Sequence, residues 1–283
     1  MPNPGRLPTV FFLSDYGTED EFVGVVHAVL LAAAPQVRIV DLSHQGPPFD
    51  VRAGAQALTR AVPYLGPGVV LAVVDPGVGT DRRGVCLDVS RADGPSYFVG
   101  PDNGLLVAAA EMAAEAPVGA AYELPGHGEA ISGQTFDGRD LFAPVAAALC
   151  NGRPPDELGR MIDPGSLVRL PGGVVDHGRT NDGRTSLRAE VTWVDHFGNV
   201  QMAATLADAR QAAWRFDGIT TVEVTTDGDI RRALRCVETF ADLAPSELGL
   251  LADANGHIAI VAGEASAAHW LNVVAGDLIV LEW

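Results

Sequence analysis

Residues Val70 to Val85 read VLAVVDPGVGTDRRGV. A valine-rich apolar run ends on Asp75. A Pro76-Gly77-Val78-Gly79 turn follows, then Asp81, Arg82 and Arg83. A buried strand that carries a carboxylate at its C-terminal tip and then turns on glycine is how open α/β sheets present reactive groups. The same residues also suit a plain strand and turn with a surface Asp–Arg pair. Other acids follow strand-like runs: Asp15 with Asp20, and Asp41. Strand ends of a parallel sheet point one way, so these carboxylates can face one crevice with Asp75. Asp15 and Asp20 could hold ribose hydroxyls, an ammonium group or a metal. Asp20 equally suits a helix start, and Asp41 an ordinary turn.

Further polar constellations lie downstream. Gly133-Gln134-Thr135-Phe136-Asp137-Gly138-Arg139-Asp140 precedes a helical stretch and sets charges beside Phe136, a packing face for a planar ring. Asp140 could instead cap that helix, with Arg139 paired to a surface acid. Asp195-His196-Phe197-Gly198-Asn199 places an acid, an aromatic ring and an amide on a tight turn, suited to recognition or to a plain hairpin. His196 could be a base, although a lone histidine more often has a structural role. Phe240-Ala241-Asp242 is a weaker signal, and His127, in Pro-Gly-His-Gly, reads as loop. There is no GxSxG elbow, P-loop, HExxH or CxxC pair.

The elements that must position these residues follow from pattern. Apolar strands are expected over 9–13, 37–42, 68–75, 85–89 and 97–100. Helices are expected over 22–34, from Asp50 as N-cap through 62, over 105–114 and over 141–149. This alternation predicts an N-terminal α/β domain, residues 1–170, with a mostly parallel central sheet. Residues 153–184 are rich in Pro, Gly and Asp and read as connector, with 171–184 as the linker proper. From 186 onward short alternating runs separated by turns such as Asp227-Gly228 and Asn255-Gly256 predict a smaller all-β, barrel-like domain over 185–283.

Composition narrows the function. The chain has 283 residues, nearly half of them apolar, and a formal charge of −17. That charge argues against nucleic acid and anionic membranes as partners, since both require a basic face. Cys86, Cys150 and Cys236 lie far apart, without metal spacing, and read as reduced core thiols. The N-terminus lacks a signal-peptide pattern and no apolar run reaches membrane length, so a cytoplasmic location is expected.

Taken together, six blocks resemble the S-adenosylmethionine (SAM) hydroxide adenosyltransferases, relatives of the fluorinase and chlorinase enzymes. They are Ser14-Asp15-Tyr16-Gly17-Thr18, Val74-Asp75-Pro76-Gly77-Val78-Gly79-Thr80, and Gly100-Pro101-Asp102-Asn103-Gly104-Leu105-Leu106. Thr135-Phe136 with Gly138-Arg139-Asp140, Asp195-His196-Phe197-Gly198-Asn199, and Phe240-Ala241-Asp242 complete the set. They run in family order over nearly the whole chain. The resemblance implies a homotrimer with sites between the first domain of one subunit and the second of its neighbour. It implies hydrolysis of SAM to adenosine and methionine, with no cofactor and no metal.

Residue by residue, the resemblance gives Asp15 the ribose diol and Asp20 and Asp195 the methionine ammonium. Phe49 stands where the halogenating enzymes carry tryptophan, and Phe197, Asn199 and Phe240 contact adenine. In the water-using branch an Asp, an Arg seven residues later and a His position the nucleophile. Asp75 and Arg82 supply the first two. The family's TFHGRD is TFDGRD here, so Asp137 occupies the histidine position. The halogenating enzymes lack the Asp–Arg pair and carry a long insertion before the Gly100 block, where this chain has only 91–96. Ala254, Asn255 and Ala262 fall where those enzymes have more polar contacts.

The chemistry fits these residue types. The leaving thioether is neutral and needs no general acid, whereas water, with a pKa of about 15.7, is a weak nucleophile that must be held in line. Asp75 can accept a hydrogen bond from that water, and Arg82 can lock Asp75. Two carboxyl groups near one water raise one pKa, and the protonated member could serve as donor. Alternatively Asp137 turns to Arg82 or Arg139 and the site runs slowly. A SAM- or adenosine-binding sensor, a halide adenosyltransferase and a metal hydrolase on Asp15, Asp20 and Asp75 are the competing readings.

Overall fold

Runs with no polar interruption fold into strands buried on both faces, as a sheet covered on both sides requires. Strands β1 (Thr9–Ser14) and β3 (Val69–Val73) are buried at every position. The computed structural model describes residues 8–126, 135–211, 221–226 and 230–283. The chain divides into two compact units, Met1–Leu170 and Pro171–Trp283. The expected Asp227-Gly228 turn, His127, and Gly133 with Gln134 lie outside the described residues.

The first unit carries helices α1 (Phe22–Ala33), α2 (Val51–Ala61), α3 (Val107–Ala114) and α4 (Ala143–Cys150) around a seven-stranded sheet. Its other strands are β2 (Arg38–Ser43), β4 (Gly84–Arg91), β5 (Gly94–Pro101), β6 (Ala120–Glu123) and β7 (Arg160–Ile162), in the order β2-β1-β3-β5-β4-β6-β7. The β2-β1-β3-β5 half is parallel, while β4 runs back between β5 and β6, and β7 runs antiparallel to β6. Alternation along β1 divides the core. Val10 and Phe12 pack with Val26 and Leu30 of α1, and Phe11 and Leu13 with Leu58 of α2. The chain steps from β1 to β2 on one side and returns to β3 on the other. That reversal opens a crevice beyond the ends of β1 and β3.

Local chemistry sets the helix starts. Asp50 caps α2 as expected, accepting from the Ala53 N–H at 2.9 Å. Glu19, Asp20 and Glu21 precede α1 rather than filling its first turn. The connector expected over 153–184 holds β7 and a further strand, β8 (Val175–Arg179), so 171–184 is partly sheet rather than linker.

The second unit is a closed barrel of seven strands. Strand β9 spans Thr185–Val194, β10 Val200–Thr205, β11 Thr221–Thr226, β12 Arg231–Cys236, β13 Leu248–Ala252, β14 His257–Ala262 and β15 Leu278–Glu282. The order β10-β14-β13-β12-β11-β15-β9 closes through a β9–β10 pairing, with β8 added outside β9. All barrel pairings are antiparallel except β12–β13. Inward residues such as Leu187, Val191, Met202, Leu234 and Ile260 fill the interior. Helices α5 (Leu206–Gln211) and α6 (Ala267–Leu271) add Ala209, Ala267, Ala268 and Leu271 to this core. All three cysteines are reduced thiols, and burial pushes Cys86 up to about 12. No helix among the described residues is long and apolar enough to cross a membrane.

Candidate active site

The crevice between β1 and β3 deepens into a cavity of about 260 Å³. Asp15, one residue beyond β1, and Asp75, two beyond β3, both line it, with Phe49, Phe136 and Asp137. Parallel strands deliver Asp15 and Asp75 to one edge, and the turn that leads into α4 brings Phe136 and Asp137 to them.

A single guanidinium organises the floor. Arg82 donates from Nε to Asp75 Oδ1 at 3.1 Å and from Nη2 to Asp75 Oδ2. The same Nη2 donates to Asp137 Oδ2 at 2.6 Å. The three side chains are 5–9% exposed, so this paired geometry works with little competition from solvent. Phe142 supports the guanidinium from below at 5.4 Å. Burial pushes the Asp75 carboxyl above its ordinary value. Arg82 pulls against that rise, and the Asp137 charge adds to it.

Backbone shape holds the rim. The Phe49 N–H donates to Asp15 Oδ2 at 2.8 Å, fixing the carboxylate that ends β1. Phe49 itself takes φ of +67°, unfavourable for a side chain, and leaves its ring 73% exposed beside the cavity. Strain of this kind persists where the surroundings impose it. Asp137 opens a π-helical turn, Gly138–Phe142, a device frequent at functional sites. Gly138 is required there: a Cβ would lie 2.2 Å from the Tyr16 hydroxyl oxygen.

The aromatic wall was not legible in the sequence as a unit. Tyr16, Phe22 and Phe136 meet edge-to-face or tilted, with centroids 5.3–5.9 Å apart, and all three line the cavity. Burial and nearby acids keep the Tyr16 phenol protonated, its pKa raised. Pro48, Val73, Val78 and Thr135 also line the cavity. The signals were Phe136, read as a packing face, and Tyr16 standing next to Asp15.

Other expected residues fall elsewhere. Asp20 is exposed and outside the cavity lining. Asp41 does not join the crevice; its carboxylate meets Nε2 of His27 at 2.9 Å and of His44 at 3.0 Å. Arg139 pairs with its neighbour Asp140, at 2.7 Å through both nitrogens, and stacks on Phe136 at 5.1 Å.

The barrel has its own cavity, of about 370 Å³, lined by Asp195, Asn199 and Phe240 together with Trp193. The turn that supplies the first two is tightly braced. Asp195 accepts from the Phe197 and Asn199 N–H groups at 2.9 and 2.8 Å and from Asn199 Nδ2 at 2.7 Å. Gly198, at φ +84°, leaves no room for a Cβ, which would sit 2.0 Å from Ser266 Oγ. Phe197 is 75% exposed on this turn and outside the cavity lining, and His196 is exposed beside it.

The family model described as SAM hydroxide adenosyltransferase N-terminal domain matches residues 10–159, and that for the C-terminal domain matches 189–280. An (R)-S-adenosyl-L-methionine hydrolase from Salinispora tropica is 44% identical, covering 95% of this chain and 96% of its own. A fluorinase from Nocardia brasiliensis is 29% identical over 96% of each chain. The crystal structure of an uncharacterized conserved protein from Thermotoga maritima superposes with a TM-score of 0.82 at 32% identity, covering 96% of this chain and 99% of that one.

Proposed function

The chain belongs to the SAM hydroxide adenosyltransferase family, and from that premise we propose that it hydrolyses S-adenosyl-L-methionine, water attacking C5′ to give adenosine and L-methionine. The observation that carries this reading is the Asp75–Arg82–Asp137 cluster on the floor of a cavity whose rim holds Asp15. Asp75 faces the cavity with acceptor capacity left on Oδ2, so it orients a water lone pair toward the carbon and draws on its proton as the C–O bond forms. Arg82 fixes Asp75 in that pose. Holding one water in line can lower the barrier by roughly 7–11 kcal/mol in favourable cases. Methionine leaves as a neutral thioether, so the step needs no cofactor and no metal.

The substrate contacts follow the same reading. Asp15 accepts from the ribose hydroxyls, with Phe49 and Phe136 against the nucleoside. Asp195 and Asp20 hold the methionine ammonium, and Asn199, Phe197 and Phe240 receive the adenine. The α/β cavity carries the reacting groups, whereas the barrel cavity carries an amide and aromatic rings. On this reading the protein is a homotrimer, as the family resemblance implies, with one subunit's barrel completing a neighbour's α/β site. Reduced thiols fit a cytoplasmic enzyme.

Halide transfer fits less well. A halide can only accept hydrogen bonds, and the carboxyl groups of Asp75 and Asp137 on the cavity floor offer it like charge rather than donors, while Arg82 is held by both. Incubation with SAM in ¹⁸O-water, with mass spectrometry of the products, tests the proposal. Label in the adenosine 5′-hydroxyl is expected. SAM bound without release of adenosine would instead establish a sensor.

A further inference from the structure

Beneath the Asp15 turn lies a second cluster that the reaction does not use. His27 on α1, Asp41 on β2 and His44 just beyond β2 bring three ligand atoms within 4.8 Å of one another. Asp41 Oδ1 is 2.9 Å from His27 Nε2 and 3.0 Å from His44 Nε2. We propose that these residues form a two-histidine, one-carboxylate site for a divalent first-row ion of the Zn²⁺ class, bracing the turn that presents Asp15.

The His44 ring supports this most directly. Its side chain is 5% exposed, and Nδ1 is engaged with Ser14 Oγ at 2.7 Å. Ser14 Oγ also accepts from the Tyr16 N–H at 3.3 Å, so it can take the Nδ1 proton as a second acceptor bond. With the Nδ1 proton donated to Ser14 Oγ, Nε2 keeps its lone pair for an ion, the tautomer that outer-shell partners of metal-bound histidines select. Nε2 is buried and makes no hydrogen bond. His27 Nε2 hydrogen-bonds Asp41 Oδ1 at 2.9 Å and would exchange that bond for the ion, whereas His44 Nε2 lies 3.0 Å from the same oxygen without making such a bond. Two ligands of one ion adopt that relation, because each aims at the ion rather than at the other. Zn–N and Zn–O bonds of about 2.0–2.2 Å put tetrahedral ligand atoms about 3.3 Å apart, so each imidazole–Asp41 spacing needs to widen by only a few tenths of an ångström, while the two imidazole nitrogens already lie within 4.8 Å. Two imidazoles with one carboxylate suit Zn²⁺ or Co²⁺ rather than Mg²⁺ or Ca²⁺, which favour all-oxygen sets.

The location gives the ion its consequence. The Gly17 N–H donates to the His44 carbonyl at 2.7 Å, and His44 packs on Phe12 of β1 at 4.6 Å between ring centroids. An ion here ties α1, the edge strand β2 and the β1 turn into one unit. It lies outside the proposed chemistry and takes no part in it.

The test uses the full-length untagged chain, stripped with chelator and titrated with Co²⁺ alone. Ligand-field bands in the visible are expected, saturating near one equivalent and displaced by Zn²⁺, with a rise in melting temperature. His27→Ala and Asp41→Asn, at the two more exposed positions, should each weaken binding roughly 10–100-fold or more and remove the rise. Absence of bands, or bands unchanged in both variants, would overturn the site whether or not SAM is cleaved.

Discussion

Arg82 grips Asp75 along one edge of its guanidinium, Nε to Oδ1 and Nη2 to Oδ2, and spends Nη2 a second time on Asp137. The pair is seven residues apart in sequence, on the two sides of the Gly77 turn, where a Cβ at Gly77 would meet the Arg82 side chain at 3.4 Å. A planar fork shared by two carboxyl groups sets both the pose of Asp75 and the charge around it.

Arg82→Lys should keep the charge and lose the fork. A lysine ammonium cannot hold both oxygens of Asp75 in one plane. Turnover is expected to fall roughly 100-fold with little change in KM, since a misplaced group costs about that much. Steady-state kinetics decide it; a KM effect alone would mean that Arg82 binds substrate instead.

Asp75→Asn separates activity from stability. Burial raises the Asp75 carboxyl, so the fold binds that proton more tightly than the unfolded chain does. Its contribution to stability is therefore present at low pH and is lost as pH rises through the folded pKa. An uncharged amide avoids that cost at neutral pH. Adenosine formation should stop, while the melting temperature at pH 7 holds or rises; a drop of several degrees would contradict this account.

In the wild type the active form needs Asp75 ionised, so activity should fall as pH drops through its raised pKa. The acid limb is expected above the usual carboxylate value of about 3.9. Asp137→Asn removes the neighbouring charge that adds to the rise, and the limb should move down. A pH–rate profile of both proteins measures the displacement.

Asp137→His restores the family's usual residue. In this structure Asp137 is turned to Arg82, at 2.6 Å, which is the arrangement expected of a slow site. An imidazole can both donate to and accept from the water, and turnover should rise about tenfold or more. A decrease would show that the two carboxyl groups work as an adapted pair.

Gly138→Ala should displace Tyr16, whose hydroxyl would lie 2.2 Å from the new Cβ. A cost of roughly 1–3 kcal/mol is expected, read as a lower melting temperature. Tyr16→Phe removes the colliding oxygen, so the double variant should recover most of the loss. Additive penalties would locate the strain elsewhere.

Much of this was readable in the chain. Unbroken apolar runs required strands buried on both faces, and acids just after them required carboxylates at one edge, which is where Asp15 and Asp75 stand. The Asp50 cap and the Asn255-Gly256 turn before β14 are local choices made by local residues. Short strands such as β7, of three residues, and the polar β8 were read as connector, because their pairing partners, not their own composition, make them strands.

By itself, then, the sequence settled which segments form elements and which residues could do chemistry, because periodicity and residue type act over a few positions. Only the tertiary structure decided that Asp137 leans on Arg82, that Tyr16, Phe22 and Phe136 form one wall, and that Asp41 turns from the crevice to two histidines. Those outcomes depend on distances between side chains up to 120 positions apart, as Phe136 is from Tyr16. Strand order and packing fix such distances, and no local pattern encodes them.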